Sequence, residues 1–137
     1  MAIGETALKP VLVGVGAHDA LTALLVERAG FDLVWLGSLE VSSRLGIPDR
    51  NLLTPTEMAM VVREVRAAIT LPIYVDADNG YGSDLTAVRA IELFASAGAH
   101  TVCIEDNAFP KRNSLSTAGS HELLGAEVFA ARLERLC

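Results

Sequence analysis

Four short apolar runs without polar alternation recur along the chain, and each predicts a buried strand. Parallel strands have this pattern because helices cover both faces of their sheet. The predicted strands are Val11–Gly16, Asp32–Gly37, Pro72–Ala77 and Thr101–Asp106.

The segments between and after these runs have apolar residues at the spacing of an amphipathic helix. Thr54-Pro55 is typical of a helix start, and Ser83 or Asp84 can cap the next helix. Gly30 can take the left-handed conformation that ends a helix before a strand. The predicted helices are Asp19–Ala29, Thr56–Ala68, Leu85–Ala97 and Glu122–Leu136.

Strands that alternate with helices form parallel βαβ units, in either a doubly wound sheet or a TIM-type barrel. A doubly wound dinucleotide site has Gly-x-Gly-x-x-Gly after its first strand, but Asp19 stands at the third glycine position here. The polar residues instead follow later strands at their carboxyl ends, where barrel enzymes build their sites. The sequence therefore predicts an α/β fold of the (β/α)8 type. Its 137 residues supply about four of the eight units, since a whole barrel needs about 250 residues.

Composition narrows the class of protein. Of 137 residues, 51% are hydrophobic and 20% charged, with a net charge of −6, as in one soluble globular domain over residues 1–137. Lysine and arginine are scattered, so we expect no nucleic-acid partner and no anionic membrane surface. The apolar segments are too short to span a bilayer. Cys103 in an apolar run and Cys137 at the end favour a reducing, cytoplasmic setting.

Acidic residues follow the third and fourth predicted strands. Asp76 and Asp78 are two residues apart and project to one side of the strand end, while Glu105 lies at the corresponding end of the next strand. Three converging carboxylates repel each other unless a cation lies among them. Mg²⁺ fits better than zinc, because neither histidine nor cysteine is part of the motif.

Four motifs follow one another over about residues 16–115: "GAHDALTALLVERAGFDLVWLGSLEVSS", "DADNGYG", "CIED" and "FPKRNSL". In order and spacing they resemble the isocitrate lyase and phosphoenolpyruvate phosphomutase superfamily. Within it they are most similar to the phosphomutases, with the phosphonopyruvate hydrolases next. The resemblance implies an (α/β)8 barrel that binds Mg²⁺ and a small 2-oxo or enol acid, with this chain as its N-terminal half.

The resemblance also implies roles for single residues. Asp76 would be the direct Mg²⁺ ligand, and Asp78 and Glu105 would hold water molecules of the ion. Asp49 matches the catalytic aspartate beside the migrating phosphoryl group. The other matched residues form two groups. The first group would bind substrate oxygens at a strand end. The second belongs to a mobile loop whose side chains would donate hydrogen bonds in catalysis and substrate binding. The strand-end residues are Trp35, Gly37, Ser38 and Leu39, and the loop residues are Lys111, Asn113 and Ser114.

Ordinary structural roles are the alternatives for several of these residues. Asp76 and Asp78 could only cap a turn. Trp35 could be a core side chain. Lys111 and Arg112 could be a solvated pair in a polar loop.

Asn113 separates the possible reactions. Carbon–carbon lyases of the superfamily resemble "KRCGH" in this loop, with a cysteine as catalytic acid, and the hydrolases tend to have threonine at the position of Asn113. An amide can donate a hydrogen bond but cannot supply the proton that an enolate leaving group needs. The sequence favours isomerisation of phosphoenolpyruvate to phosphonopyruvate, with phosphonopyruvate hydrolysis or C–C lysis as alternatives.

Two departures from the mutase pattern bear on the substrate. Asn107 replaces the lysine of the Glu-Asp-Lys motif, which removes a positive charge. The order Gly37-Ser38 replaces Ser-Gly, so the hydroxyl turns to the other face unless the chain has already left the strand. Either change is compatible with a variant substrate such as a carboxylated phosphoenolpyruvate.

A half-barrel would leave strand edges and apolar surface uncovered. The first and last strands would have unpaired edges, and Val13, Val34 and Val75 would face an unfilled barrel interior. We therefore expect a homo-oligomer or a longer polypeptide. The alternative to an enzyme is a non-catalytic half-barrel that needs a partner.

Overall fold

The computed structural model describes residues 11–113 and 122–136, in which strands alternate with helices. The strands are β1 (Gly14–Ala17), β2 (Leu33–Leu36), β3 (Ile73–Asp76) and β4 (Thr101–Cys103). The helices are α1 (Ala20–Arg28), α2 (Ser38–Leu45), α3 (Pro55–Ala68), α4 (Asp84–Ala97) and α5 (Ala126–Leu136). The predicted alternation of strands and helices is confirmed.

The strands form one parallel sheet in the order β1-β2-β3-β4. The register pairs Val34 with Ile73 and Val75 with Val102. Because each strand pairs with the next strand in the sequence, the carboxyl ends of all four lie at one edge of the sheet. Among the described helices, none combines the length and the apolar character that crossing a membrane requires.

One side of the sheet, which we call the helix face, is fully buried. Its residues Val34, Leu36, Ile73 and Val75 are each 0% exposed. They belong to one apolar cluster with side chains of α1, α3 and α4, including Phe94. This cluster is the core of the described part of the chain.

The opposite side of the same strands, which we call the open face, bears Trp35, Tyr74, Thr101 and Cys103. Each of these four residues is only half-buried. The prediction that Val34 and Val75 point to the barrel interior is therefore wrong. Side chains alternate along a strand, and the parity places both valines against the helices.

Local signals fix the ends of α1, α3 and α4. Thr54 accepts the Glu57 N–H in a capping box with Pro55 in the first turn, and Ser83 caps α4. Gly30 and Gly98 follow α1 and α4 with φ of 81° and 105°. These starts and the Gly30 exit agree with the sequence pattern, since proline suits a first turn and glycine a left-handed end.

Several element boundaries differ from the prediction; β4, for instance, ends at Cys103 and not at Asp106. β1 begins at Gly14, and Val11 is 87% exposed before it. α5 begins at Ala126, because Leu123 forms an antiparallel bridge with Asn107. α2 is missing from the prediction, since its sequence SLEVSSRL is rich in serine, which favours turns and caps over helix interiors.

Candidate active site

Polar side chains gather where β2, β3 and β4 end. Asp76 is the last residue of β3, and Ser38 begins α2 directly after β2. Asp78 lies in the turn after β3 with a left-handed φ of 48°. Its carbonyl oxygen accepts the N–H of Glu105, which follows β4, at 2.7 Å. The sheet edge therefore brings the predicted acidic residues to one place.

Asp76, Asp78 and Glu105 form a carboxylate cluster, in which one oxygen from each residue lies within 4.8 Å of the others. Asp76 and Asp78 are 7% and 1% exposed, whereas the Glu105 side chain is 37% exposed. The cluster thus has a buried base and one accessible side.

Burial disfavours the charged forms of two of these groups. It raises the pKa of Asp78 above its usual value, in spite of the hydrogen bond and charge of Lys111. Burial, and after it the charge of Asp76, raises the pKa of Glu105. Further positive charge beside them would be stabilised. Their oxygens are the ligands of hard divalent cations, so the residues present fit Mg²⁺.

Asp76 is oriented by its neighbours. Its Oδ2 accepts the Ser38 backbone N–H at 3.2 Å and the Ser38 hydroxyl at 2.8 Å. Its Oδ1 accepts the Asp78 N–H at 2.9 Å. The Ser38 hydroxyl reaches the site despite the altered Gly37-Ser38 order, because α2 begins at Ser38 and strand alternation no longer applies there.

Lys111 is the cation that faces the cluster in the described part of the chain. It is 7% exposed, and its Nζ lies 2.5 Å from Asp78 Oδ1 and 3.7 Å from Glu105 Oε1. Nζ also donates to Ser38 Oγ at 2.8 Å. Burial alone would lower the pKa of Lys111, but the hydrogen bond and charge of Asp78, with the charges of the other carboxylates, raise it. Lys111 is therefore a buried, charged group and not a solvated one.

Asp49 and Asn113 meet on the other side of Lys111. Asp49 is 8% exposed, and its Oδ2 accepts the Asn113 amide at 2.9 Å and lies 3.2 Å from Lys111 Nζ. The three residues with expected catalytic roles are thus in direct contact. Ser114 lies outside the described residues.

A cleft of about 680 Å³ opens above the cluster. Trp35, Gly37, Ser38 and Leu39, the predicted strand-end residues, line it together with Lys111 and Asn113. The structure thus places the strand-end and loop residues around one space, large enough for a small organic acid.

The sequence-based prediction missed two residues of this region, Glu40 and Asn51. Glu40 folds back over Gly37, and a Cβ at position 37 would displace its carboxylate. Asn51 has a φ of 57° and bonds to both Asp78 and Lys111. Its signal in the sequence is the Pro48-Asp49-Arg50-Asn51 turn, because asparagine tolerates the left-handed region.

Two other polar residues support the surroundings of the cluster. The Asn107 side-chain amide donates to Glu105 Oε2. Arg132 of α5 is 8% exposed, and it donates to the Asn79 carbonyl oxygen at 2.7 Å and to Asp84 Oδ1 at 2.9 Å. α5 is thereby tied to the turn that carries Asp78.

Known proteins match nearly the whole chain. The sequence profile of the family described as phosphoenolpyruvate phosphomutase matches residues 7–136. Phosphonopyruvate hydrolase of Variovorax sp. is 31% identical over 90% of this chain and 42% of its own length. Phosphoenolpyruvate phosphomutase of Tetrahymena pyriformis is 35% identical over 86% of this chain and 39% of its own length.

Solved structures match in the same way. Phosphoenolpyruvate phosphomutase of Streptomyces platensis subsp. rosaceus superposes with a TM-score of 0.85 and 39% identity, over 93% of this chain and 45% of that one. A phosphonopyruvate hydrolase in complex with oxalate and Mg²⁺ superposes with a TM-score of 0.77 and 28% identity, over 90% of this chain and 41% of that one. The chain spans about two fifths of the length of these relatives. It has the TIM-barrel type of α/β fold found in solved proteins about twice its length.

Proposed function

This chain belongs to the phosphoenolpyruvate phosphomutase family, and we propose that it is a Mg²⁺-dependent isomerase that interconverts phosphoenolpyruvate and phosphonopyruvate. In this reaction the phosphoryl group leaves the enol oxygen, and the methylene carbon of the pyruvate enolate forms the new P–C bond. The proposal covers a small-molecule substrate and a cytoplasmic enzyme.

The observation that carries this proposal is the excess of negative charge at the site. The Lys111 ammonium forms ion pairs with Asp49, Asp78 and Glu105, and Asp76 belongs to the same carboxylate cluster. Such a cluster favours a divalent cation together with an anionic substrate that shares it. Bound Mg²⁺ would supply electrostatic stabilisation of substrate oxygens. Asp76 would hold the ion directly, and Asp78 and Glu105 would hold its water molecules.

The residues around the cleft would have different roles in binding and catalysis. Lys111 and Asn113 would donate hydrogen bonds to the phosphoryl oxygens and keep water from the transferring group. Asp49 contacts both side chains at 2.9 and 3.2 Å, and so sets their positions beside that group. Trp35, Gly37, Ser38 and Leu39 would form the wall against which the carboxylate end of the substrate binds.

Asn113 supports isomerisation over the two other reactions of the family. An amide shields the phosphoryl group and provides no acid for C–C lysis. Phosphonopyruvate hydrolysis is the nearest alternative, because a hydrolase and a mutase resemble the chain to a similar degree. A 2-hydroxy or oxo-acid C–C lyase is the next.

The open face supports an alternative of another class, a non-catalytic half-barrel. Its four half-buried residues would lie in the interior of a whole barrel, so the chain would act only as a homo-oligomer or within a longer polypeptide. This alternative predicts that Mg²⁺ binds while no substrate is turned over.

Incubation of this chain in a full-length barrel context with Mg²⁺ and phosphonopyruvate, followed by phosphorus NMR, tests the proposal; the 137 residues alone are expected to turn over substrate poorly or not at all. We expect phosphoenolpyruvate as the main product, a larger share of inorganic phosphate with Asn113→Thr, and loss of both with Asp49→Ala. Arg63→Gln, at an exposed position of α3 outside the cleft, is the matched control and should leave the ratio unchanged. Inorganic phosphate as the main product of the unaltered chain would identify a hydrolase instead.

A further inference from the structure

Asn51 occupies a tightly defined place in the turn between α2 and α3. Its φ of 57° lies in the left-handed region, where asparagine is several-fold enriched over most other non-glycine residues. Leu53, two residues later, is 2% exposed and belongs to the core. Thr54 then caps α3. The turn is thus anchored to the core directly beside Asn51.

Both the nitrogen and the oxygen of the Asn51 side-chain amide form hydrogen bonds. Its Nδ2 donates to Asp78 Oδ2 at 3.1 Å and to Asn79 Oδ1 at 3.3 Å. Its Oδ1 accepts the Lys111 backbone N–H at 2.7 Å. An amide has both a donor and an acceptor, so it can join a carboxylate to a backbone N–H, which leucine or lysine could not do.

These contacts close a ring of hydrogen bonds through three segments of the chain. Asn51 donates to one oxygen of Asp78, the Lys111 ammonium lies 2.5 Å from the other oxygen, and the Lys111 N–H returns to Asn51. The ring fixes the rotamer of the Asp78 carboxylate and the path of the Lys111 backbone at the same time. If Asn51 is removed, the Lys111 backbone N–H loses this acceptor, while the Lys111 ammonium keeps its contacts with Asp78 and Ser38.

We propose that Asn51 is a positioning residue that couples the Asp78 carboxylate to the Lys111 segment, so that this segment is seated on the carboxylate cluster before substrate binds. The inference rests on the proposed function in one respect only, which is that Lys111 and Asp78 are working parts of the site. It assigns no contact between Asn51 and substrate.

Trypsin provides a direct test on the chain without metal or substrate. Lys111 is buried, so cleavage after it requires the segment to open, and the rate then follows the population of the open form. Asn51→Gly keeps the left-handed backbone and removes all three side-chain hydrogen bonds. We expect cleavage after Lys111 and Arg112 to become about fivefold faster or more, as the loss of one net hydrogen bond implies.

Two further variants separate positioning from general loosening. Asn51→Asp keeps the acceptor for the Lys111 N–H but replaces the donor to Asp78 by a repelling carboxylate, so it should recover only part of the protection that Asn51→Gly loses. Ser43→Gly adds glycine at an exposed position near the end of α2, just before the same turn, and should cleave like the unaltered chain. Equal cleavage of Asn51→Gly and Ser43→Gly, with both folded by circular dichroism, would overturn the proposal.

Amide hydrogen exchange of the unaltered chain keeps the inference testable should Asn51→Gly fail to fold. The Lys111 amide should exchange at least about tenfold more slowly than an unbonded loop amide, because it donates to Asn51. Exchange at the rate of an unprotected amide would contradict the ring. Both measurements are made without Mg²⁺ or substrate, so the isomerase proposal can fail in its own assay while this inference stands, and the reverse.

Discussion

The two faces of the sheet differ in how completely their side chains are buried. On the helix face, Ile73 and Val75 are 0% exposed among side chains of three helices. On the open face, Tyr74 and Cys103 are half-buried by the described residues. The same strands thus have a fully buried core on one side and a partly exposed surface on the other. The candidate site lies at the strand ends, and Asp76, which pairs with Cys103, has the strand parity of the open face.

The largest expected effect comes from substitutions of two adjacent residues of β3, one on each face. Ile73→Ala should lower the free energy of unfolding by about 2–5 kcal/mol, because it leaves a cavity in a closed core. Tyr74→Ala, its matched control on the open face, should cost less than half as much, since its ring already contacts solvent. Urea denaturation measures both. Equal costs would show that another surface covers the open face, as self-association or a further segment would.

The second test addresses the charge at the boundary of the two faces. At pH 7, Mg²⁺ at about 100 times its Kd should add about 2.7 kcal/mol to the free energy of unfolding. The folded pKa values of Asp78 and Glu105 lie above their unfolded values, so the folded chain binds protons first as the pH falls.

The sign of the pH dependence follows from that difference. Without metal, these two groups make the folded state less stable as the pH rises from their unfolded pKa values through the raised ones. Protonated carboxyl groups do not bind Mg²⁺, so its stabilising effect should decrease as the pH falls through the same window. Thermal unfolding with Mg²⁺, against sodium chloride of equal ionic strength, measures this effect. The same Mg²⁺ effect at pH 4 and pH 7 would exclude the carboxylates as its site.

The smallest expected effect concerns Asp76, the proposed direct Mg²⁺ ligand. Asp76→Asn keeps the shape of the side chain and should weaken Mg²⁺ binding about tenfold or more, because it removes the charge that Ser38 and the Asp78 N–H orient. Glu64→Gln, on the exposed side of α3, is the matched charge control. Calorimetry should separate the two variants. If they bind Mg²⁺ equally well, Asp76 is not the direct ligand.

Much of the fold follows from local patterns in the sequence. The apolar runs gave the parallel strands, and Thr54-Pro55 marked the start of α3 because caps act within a few residues. The sequence did not show which side chains of each strand face the helices. Both neighbours of Val34 in β2 are also apolar, so alternation could not show which side faces the helices. Only the packing of α1 and α3 decides it.

The candidate site was predictable where its residues lie at strand ends. Asp76, Asp78 and Glu105 were expected to converge because parallel strands end at one edge. Contacts between distant segments required the structure. Lys111 and Asp78 are in contact although they are 33 residues apart in the sequence. The Lys111 N–H donates to Asn51, which is 60 residues away. No spacing rule of a helix or strand connects positions so far apart.

The left-handed backbone at Asp78 has a consequence for how such a site can be lost. Aspartate, asparagine and glycine tolerate this conformation best, whereas a branched side chain would strain it. Aspartate codons are one nucleotide change away from those of asparagine and of glycine. A single base substitution can therefore remove the Asp78 charge and leave the turn intact. At this position one mutation can therefore change the chemistry of the site without changing the fold, and descendants that keep the turn but only two of the three carboxylates are a single mutation away.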